Sequence, residues 1–348
     1  MKFGIIGTGL IAEFHARALS EIEGAELVAC MDVNSERASS FGVKYHCLSY
    51  DSIEQFLKHP GLEIVTVCTP SGLHRDMAVA AAQAQKHVIV EKPLEISTER
   101  CQQIIDVCKK NNVILSGIFP SRFFNAASTV KKALEAGRFG KLTMGTASVK
   151  WWREQSYYNA GGWKGTRSLD GGGALINQSI HAIDLLLWYM GDAEEVYACM
   201  DTRAHSGIEV EDNAIVAVRF KNGAIGTIHG STSVWPGFLK RLEISGTAGS
   251  AILEEENLAF WKFKEENADD VYVRKQFAGA THSGGGASDP AAISHHGHKL
   301  QFLDIIDAIQ NNRKPLIDGE EAMKAVRLIE AAYKSAELDK PISPGEML

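Results

Sequence analysis

The chain has 348 residues, enough for about two domains, and its 45% hydrophobic and 23% charged residues are ordinary for a globular protein. The net charge of −7, with Lys and Arg scattered along the chain, argues against nucleic acid or an anionic membrane as the main partner. No run approaches the ~18 apolar residues of a membrane span. Six cysteines without a C-x-x-C pair predict free thiols and a cytoplasmic location.

Short apolar runs alternate with helical patterns from residue 1 to 118. The runs KFGII, ELVACMD, EIVTVCTP, HVIVEKP and VILSGIF are typical of buried strands, and amphipathic helices are predicted between them. Strands that alternate with helices form a parallel, doubly wound sheet. The first part of the chain is therefore predicted to be an α/β domain of that kind.

The first strand–helix turn reads GTGLIA and consists of Gly7, Thr8, Gly9, Leu10, Ile11 and Ala12. It has the G-x-G-x-x-[GA] spacing, follows a strand and opens a helix, which is the context of a dinucleotide-binding turn. Gly7 allows the tight turn, Gly9 lets the backbone approach a pyrophosphate, and Ala12 lets the helix pack on the strand. Residues 1–119 are therefore predicted to form an NAD(P)-binding Rossmann domain, with all six turn residues contacting the cofactor.

The choice of dinucleotide depends on the end of the second strand, where Asp32 stands. A carboxylate at this position accepts hydrogen bonds from the ribose hydroxyls and repels a 2′-phosphate. NAD is therefore favoured over NADP, although Arg37 is close enough to leave tolerance for NADP open.

Two further segments end at the same edge of the sheet, which faces the ligand in this fold. In CTPSGLH, Thr69 and Pro70 are expected to line the cofactor, and His74 either contacts the cofactor or caps the following helix. In EKP, we expect Glu91 to contact the cofactor and Lys92 to emerge from its strand beside the nicotinamide. A lysine in a partly desolvated cleft can relay a proton, and the following proline can adopt a cis peptide that directs it.

From residue 120 to 348 the pattern changes to long alternating strands, with Asn222-Gly223 as a hairpin signal. These runs predict an α/β domain with a large, open, mostly antiparallel sheet, closed by helices over 298–310 and 320–338. The helix over 174–190 can cover one side of such a sheet. A second copy of the chain can cover the other side, so a homodimer or homotetramer is expected.

The stretch GGGALINQSIHAID (171–184) places Asn177, His181 and Asp184 in an otherwise apolar helix. At about 100° per residue, these three side chains fall within roughly a 60° arc. Burying polar groups without partners costs about 1–3 kcal/mol each. The stripe is therefore either a substrate-facing surface or a buried hydrogen-bonded network.

The segment WWREQSYYNAGGWKGTR (151–167) precedes this helix and is rich in aromatic rings and cations. Arg153, Tyr157 and Trp163 are predicted to contact the substrate, the rings against C–H faces of a sugar and the cation as a donor to hydroxyl, carboxylate or phosphate groups. The HHGH segment (295–298) lacks ligands at a recognised metal spacing, so capping or lining of a cleft is predicted there and no metal.

Together, the GTGLIA turn, Asp32, EKP and the GGG…H..D pattern resemble the Gfo/Idh/MocA family of oxidoreductases over the whole chain. The resemblance implies a Rossmann domain followed by a substrate domain, an active site between them, and hydride transfer at a sugar or cyclitol carbinol. It also implies that Lys92 and His181 are the catalytic pair and that Asp184 matches the family's following aspartate. Inositol dehydrogenase-like members carry an aspartate where this chain has Asn177, which weakens a myo-inositol assignment.

The expected function is therefore an NAD(P)-dependent dehydrogenase of a sugar, sugar derivative or cyclitol. In this hypothesis His181 takes the carbinol proton, Asn177 and Lys92 bind hydroxyl groups, and Asp184 orients His181 or Lys92. Two alternatives stay open. One is NAD-dependent glycoside cleavage by transient oxidation and elimination, and the other is a non-catalytic sensor of sugar and NAD.

Overall fold

The computed structural model describes residues 1–160, 162–277 and 294–347, so the Gly/Ser-rich stretch at 279–290 lies outside the described residues. The chain forms two compact units. The first comprises Met1–Pro120, Ser168–Gly171 and Ser294–Met323, and the second comprises Ser121–Arg167, Gly172–Ile293 and Lys324–Leu348. This division differs from the predicted single boundary between residues 119 and 120.

A parallel six-stranded sheet forms the centre of the first unit. Its strands are β1 (Lys2–Ile6), β2 (Glu26–Met31), β3 (Leu48–Tyr50), β4 (Ile64–Val67), β5 (His87–Val90) and β6 (Leu115–Gly117). They lie in the order 3-2-1-4-5-6, which is the strand order of dinucleotide-binding folds. The predicted doubly wound fold is confirmed, and the short β3 is an addition to it.

Five helices connect these strands: α1 (Leu10–Ser20), α2 (Ser35–Tyr45), α3 (Ile53–Leu57), α4 (His74–Gln83) and α5 (Thr98–Lys110). Several of these helices begin at a residue whose side chain caps the first turn. At the start of α2, for example, Asn34 accepts a hydrogen bond from the N–H of Arg37. A later helix, α10 (His296–Gln310), joins this unit because Phe302 and Ile305 are buried in one core with Phe3 and Leu19.

The second unit is built on a seven-stranded sheet. Its strands are β7 (Leu142–Lys150), β8 (Ala193–Asp201), β9 (Asn213–Phe220), β10 (Ile225–Ser231), β11 (Arg241–Gly246), β12 (Gly249–Glu254) and β13 (Asn257–Phe263). They lie in the order 13-12-11-7-10-9-8, and neighbouring strands are antiparallel except for the parallel pair β7–β10. Gly223, at φ +84°, closes the predicted hairpin between β9 and β10. The mostly antiparallel sheet is thus confirmed.

Among the residues that the structure describes, the helices of the second unit are α6 (Asn125–Glu135), α7 (Gln155–Asn159), α8 (Ile180–Met190) and α9 (Ala268–Phe277), and α11 (Gly319–Leu338) runs from the first unit into the second. Helix α8 packs on β7 so closely that a Cβ on Gly145 would lie 2.7 Å from Met190. Within the described residues, no helix is long and apolar enough to cross a membrane.

Candidate functional site

The GTGLIA turn has the geometry that a dinucleotide requires. Gly7 has φ +89°, and a Cβ there would lie 2.7 Å from the carbonyl oxygen of Cys68, so only glycine fits. A Cβ on Gly9, at the start of α1, would meet no described atom within 4 Å, which leaves room for a pyrophosphate. Ala12, in the first turn of α1, is fully buried, whereas Leu10 is exposed and Ile11 is partly exposed.

The carboxylate of Asp32 lies beside this turn and is nearly buried. One oxygen accepts hydrogen bonds from the backbone N–H and the hydroxyl of Thr8, at 3.0 and 2.9 Å, and the other accepts from Asn34 and Arg37. Burial alone would raise the pKa of Asp32, but these hydrogen bonds and the charge of Arg37 lower it, so the group is an anion. Thr8, Asn34 and Arg37 also line a cleft of about 380 Å³ together with Ser40. The site suits the ribose of a dinucleotide.

At the end of β4, the side chain of Thr69 also fits a bound cofactor. Its hydroxyl is buried and makes no hydrogen bond within the described residues, so a ligand can supply the missing partner. Pro70 follows at the start of the next turn and is partly exposed. His74 is different, because its two ring nitrogens lie 2.8 and 2.9 Å from the carbonyl oxygens of Pro93 and Thr69. This buried side chain joins two loops, so the predicted contact of His74 with the cofactor is not supported.

The EKP segment is fixed from inside the first unit. Glu91 accepts a hydrogen bond from His15 at 2.7 Å, lies 3.4 Å from His298, and accepts a third bond from the backbone N–H of Lys92. Burial would raise the pKa of Glu91, but the two imidazoles hold it well below its usual range. The carboxylate therefore faces the interior, and the prediction that Glu91 contacts the cofactor can apply only to its main chain. Lys92 is half-buried, and the peptide before Pro93 is cis.

Three possible metal ligands meet in this cluster, since the ligand atoms of His15, Glu91 and His298 all lie within 4.8 Å of one another. The 2.7 Å between His15 Nε2 and Glu91 Oε1 is a hydrogen-bond distance, whereas two ligands of a tetrahedral zinc ion lie about 3.4 Å apart. The hydroxyl of Thr66 lies 2.8 Å from the other nitrogen of His15. We interpret the cluster as a hydrogen-bonded network, and His298 of the HHGH segment is part of it.

In the second unit, the predicted helix over 174–190 consists of a π-helical segment, Ala174–Ser179, followed by α8. The wider π-helical turn means that the uniform 100° spacing assumed from the sequence does not apply at Asn177. Within this run, which the structure describes completely, Asn177, His181 and Trp188 are the residues that are not fully buried. A π-helical segment is often found at a functional site. Asn177 and His181 are therefore accessible to a ligand.

Asp184 has a partner in the second unit that the sequence does not indicate. It is buried, and its two oxygens accept hydrogen bonds from Arg122 at 2.9 and 2.6 Å. Arg122 in turn lies over the ring of Trp188. The ion pair with Arg122 holds this carboxylate, and the role of Asp184 in orienting His181 or Lys92 stays a prediction. Arg122 follows the Rossmann segment in sequence, and no motif there indicated it.

The other predicted substrate residues, Arg153, Tyr157 and Trp163, also belong to the second unit. Arg153 is buried and donates a hydrogen bond to Gln178, whose amide donates to the hydroxyl of Tyr157 and to Asn177. The ammonium of Lys164 lies 3.8 Å from the centre of the Tyr157 ring. Gln178 connects these residues and was missed, because a glutamine on a helix carries no signal of its partners. Trp163 is half-buried in a turn that Thr166 closes onto its carbonyl oxygen.

The fold and these residues define a two-unit, nucleotide-binding oxidoreductase. Residues 1–119 match the oxidoreductase family with an NAD-binding Rossmann fold, and residues 131–343 match the C-terminal α/β domain of the same family. The chain belongs to the Gfo/Idh/MocA oxidoreductase family. The resemblance inferred from the sequence motifs is thus confirmed, as is NAD as the cofactor of the family's first domain.

Several characterised proteins are similar to this chain over its full length. The crystal structure of the WlbA dehydrogenase from Bordetella pertussis, in complex with NADH and UDP-GlcNAcA, has a TM-score of 0.90 and 31% identity and covers 99% of this chain and 97% of that chain. Myo-inositol 2-dehydrogenase of Thermotoga maritima is 26% identical over 356 residues, with both chains fully covered. The 2,7-anhydro-N-acetylneuraminate hydratase of Mediterraneibacter gnavus is 25% identical over 371 residues, covering 99% of this chain and 97% of the relative.

Proposed function

We propose that this enzyme transfers a hydride between NAD and a carbinol of a sugar derivative, with the first unit binding the cofactor and the second unit binding the sugar. The observation that carries the proposal is the run 174–190, where Asn177 and His181 are partly exposed and every other residue except Trp188 is buried. An amide and an imidazole at such positions suit a ligand with several hydroxyl groups. The dehydrogenases among the relatives support the same substrate class.

In this proposal, three side chains share the chemistry. The GTGLIA turn and Asp32 would hold NAD, which would supply the hydride acceptor. The imidazole of His181 takes the hydroxyl proton, and the ammonium of Lys92 donates a hydrogen bond that stabilises negative charge developing on the same oxygen. Asn177 orients a neighbouring hydroxyl, because an amide cannot accept a proton near pH 7. The ion pair of Asp184 with Arg122 keeps α8 in place.

We propose that the sugar derivative carries a negative charge. The guanidinium of Arg153 and the ammonium of Lys164 lie on the ring of Tyr157, 5.7 and 3.8 Å from its centre. A guanidinium and an ammonium at such positions recognise a carboxylate or a phosphate. The UDP-linked sugar bound by the relative from Bordetella pertussis supports this class.

The test is NADH formation with cyclitols, neutral sugars, uronates and UDP-linked uronates, each with NAD and with NADP. We expect turnover with uronates or their UDP-linked forms, and a preference for NAD because of Asp32. Turnover of neutral cyclitols alone would contradict the proposed charge. Absence of NADH with every compound, although NADH itself binds, would contradict net dehydrogenation.

A second candidate function is elimination or hydration through transient oxidation, and the hydratase relative favours it. In that reaction the bound cofactor is reduced and then reoxidised within one turnover, so no net NADH forms. Product analysis of anhydrosugars and glycosides by mass spectrometry separates the two candidates. New products without NADH would support the second candidate.

The sheet of the second unit supports a further part of the proposal, a homodimer or homotetramer. On the face opposite α8, Met144, Ile215 and Ile225 are 51%, 56% and 49% exposed. Exposed apolar residues on neighbouring strands are typical of an interface. We also propose a cytoplasmic location, because all six cysteines are free thiols.

A further inference from the structure

We propose that Glu211 and Asp212, the two carboxylates directly before β9, are positioning residues that hold the two chain segments of the substrate site. We call them the acidic pair. Glu211 holds the start of the helical run that carries Asn177 and His181, and Asp212 holds the segment that carries Arg153. The inference rests on the proposed function, since it assigns roles in positioning the residues of that site.

Glu211 caps the π-helical segment with three hydrogen bonds. Its side-chain oxygens accept from the backbone N–H groups of Gly173 and Leu175, at 3.0 and 2.8 Å, and its own carbonyl oxygen accepts from Ala174 at 3.0 Å. The first N–H groups of a helix have no partner within the helix. One residue therefore satisfies three successive donors, the N–H groups of 173–175, in the turn that leads to Asn177.

Close packing around Glu211 and its partner Tyr333 explains why two of the three consecutive positions 171–173 are glycine. A Cβ on Gly173 would lie 1.8 Å from the carbonyl oxygen of Glu211, and a Cβ on Gly172 would lie 2.0 Å from the hydroxyl of Tyr333. That hydroxyl also donates a hydrogen bond to Glu211 at 3.1 Å. Because these positions are glycines, the helical run can approach the carboxylate of Glu211, which also accepts the hydrogen bond from Tyr333 on α11.

Asp212 acts on the other segment through His205. Its oxygens accept hydrogen bonds from the backbone N–H groups of 203–205 and from Nδ1 of His205, the last at 2.9 Å. The Nε2 nitrogen of His205 lies 2.7 Å from the carbonyl oxygen of Arg153. The carbonyl oxygen of Asp212 accepts from Thr232, whose own carbonyl accepts from the N–H of Arg153. Two paths therefore connect Asp212 to the backbone of Arg153.

A carboxylate at residue 211 is unfavourable for stability alone. Burial raises the pKa of Glu211 to about 7, although the donors around it partly oppose this shift. An amide of the same shape would avoid the cost of burying a charge but would have only one acceptor oxygen for the donors that meet there. The carboxylate of Glu211 thus provides a fixed geometry at a cost in stability, a combination that is typical of a functional region.

The experiment compares Glu211→Gln, Asp212→Asn and the control Glu337→Gln, an exposed carboxylate on α11. Because displacement of a reacting group by about 1 Å can cost 100-fold in rate, we expect Glu211→Gln to lower kcat about 10- to 100-fold with KM within about 2-fold. Asp212→Asn is expected to raise KM about 10-fold with a smaller effect on kcat, since Arg153 binds substrate. The affinity for NADH should match that of the control, and any loss of melting temperature should be too small to account for the loss of activity at the assay temperature.

Amide hydrogen exchange provides a readout that does not depend on activity. We expect about 10-fold faster exchange at 173–175 in Glu211→Gln and at 203–205 in Asp212→Asn, with no change in Glu337→Gln. Unchanged exchange at these sites, or equal losses of kcat and melting temperature, would overturn the positioning role. If wild-type protein oxidises none of the compounds, the proposed function fails, while the exchange experiment still decides whether the acidic pair holds the two segments.

Discussion

Asp32 and His74 differ in whether their surroundings leave the side chain able to bind a ligand. The sequence predicts Asp32 as a cofactor contact and His74 as either a cofactor contact or a helix cap, because both follow strands at the ligand-binding edge of the sheet. Asp32 is held by donors on one side of a cleft. The imidazole of His74 is buried between two carbonyl oxygens. The neighbours of each side chain, more than its position after a strand, decide its role.

The first prediction concerns Asp32. Asp32→Ala should lower kcat/KM with NAD about 10- to 100-fold, which corresponds to the loss of a charge-assisted hydrogen bond. The same change should raise the relative activity with NADP, because Arg37 is released from its ion pair and can attract a 2′-phosphate. Steady-state kinetics with both cofactors measure this shift. The exposed Asp51→Ala is the control, and an unchanged NAD/NADP ratio in Asp32→Ala would refute the assignment.

The second prediction concerns Lys92 and His181. Lys92→Met and His181→Asn should each lower kcat by about 10²- to 10⁴-fold, the usual contribution of a positioned proton-transfer group, while NADH still binds. Stopped-flow or steady-state assays measure the loss, and Lys110→Met and His296→Asn serve as exposed controls. If both variants retained normal turnover, His181 would not take the proton and Lys92 would not stabilise the developing charge. A non-catalytic sensor would show no turnover even in the wild type.

At the scale of elements, the helical run 174–190 combines a predictable pattern with an unpredicted start. Its apolar spacing predicts a helix that covers the sheet, and α8 does pack on β7. The π-helical opening and its cap on Glu211 depend on residues far along the chain, so no local pattern indicates them. The start of this element is therefore sensitive to the charge on a residue outside it.

The third prediction follows from the raised pKa of Glu211, about 7 against 4.5 for an exposed glutamate. A carboxyl with a raised pKa in the folded state contributes stability below pH 4.5, and this contribution is lost as the pH rises to 7. Glu211→Gln does not titrate, so its free energy of unfolding relative to wild type should rise by up to ~3 kcal/mol between pH 4.5 and 8. Urea unfolding across this range measures the difference. A difference that does not depend on pH would mean that Glu211 has an ordinary pKa.

At the scale of the whole molecule, the sheet of the second unit has two unlike faces. Alternation along β9 buries Ala214, Val216 and Val218, while Ile215 on the same strand is exposed. Ile225 of β10 and Met144 of β7 are directly paired in register, which places two more apolar side chains on the exposed face. An exposed apolar surface of this kind is unfavourable in water unless another chain covers it.

The fourth prediction is that the exposed face of this sheet is the contact between copies of the chain. The double variant Ile215→Lys/Ile225→Lys should shift the protein from a dimer or tetramer to a monomer in sedimentation velocity, because burying two charges opposes association. Val43→Lys, at an exposed position in the first unit, is the control and should not change the assembly. A monomeric wild type would contradict the prediction, as would a double variant that stays assembled.

The sequence by itself determined the features that depend on neighbours close along the chain. These are the doubly wound first unit, the dinucleotide turn, the Asn222-Gly223 hairpin and the polar positions 177 and 181. Only the tertiary structure decided which side chains these groups meet, because their partners lie far away in sequence. Asp184 forms an ion pair with Arg122, 62 positions earlier in the sequence, and Glu211 accepts a hydrogen bond from Tyr333, 122 positions later. A local pattern fixes which way a residue points from its helix or strand, but packing of distant segments determines its partner and therefore its chemistry.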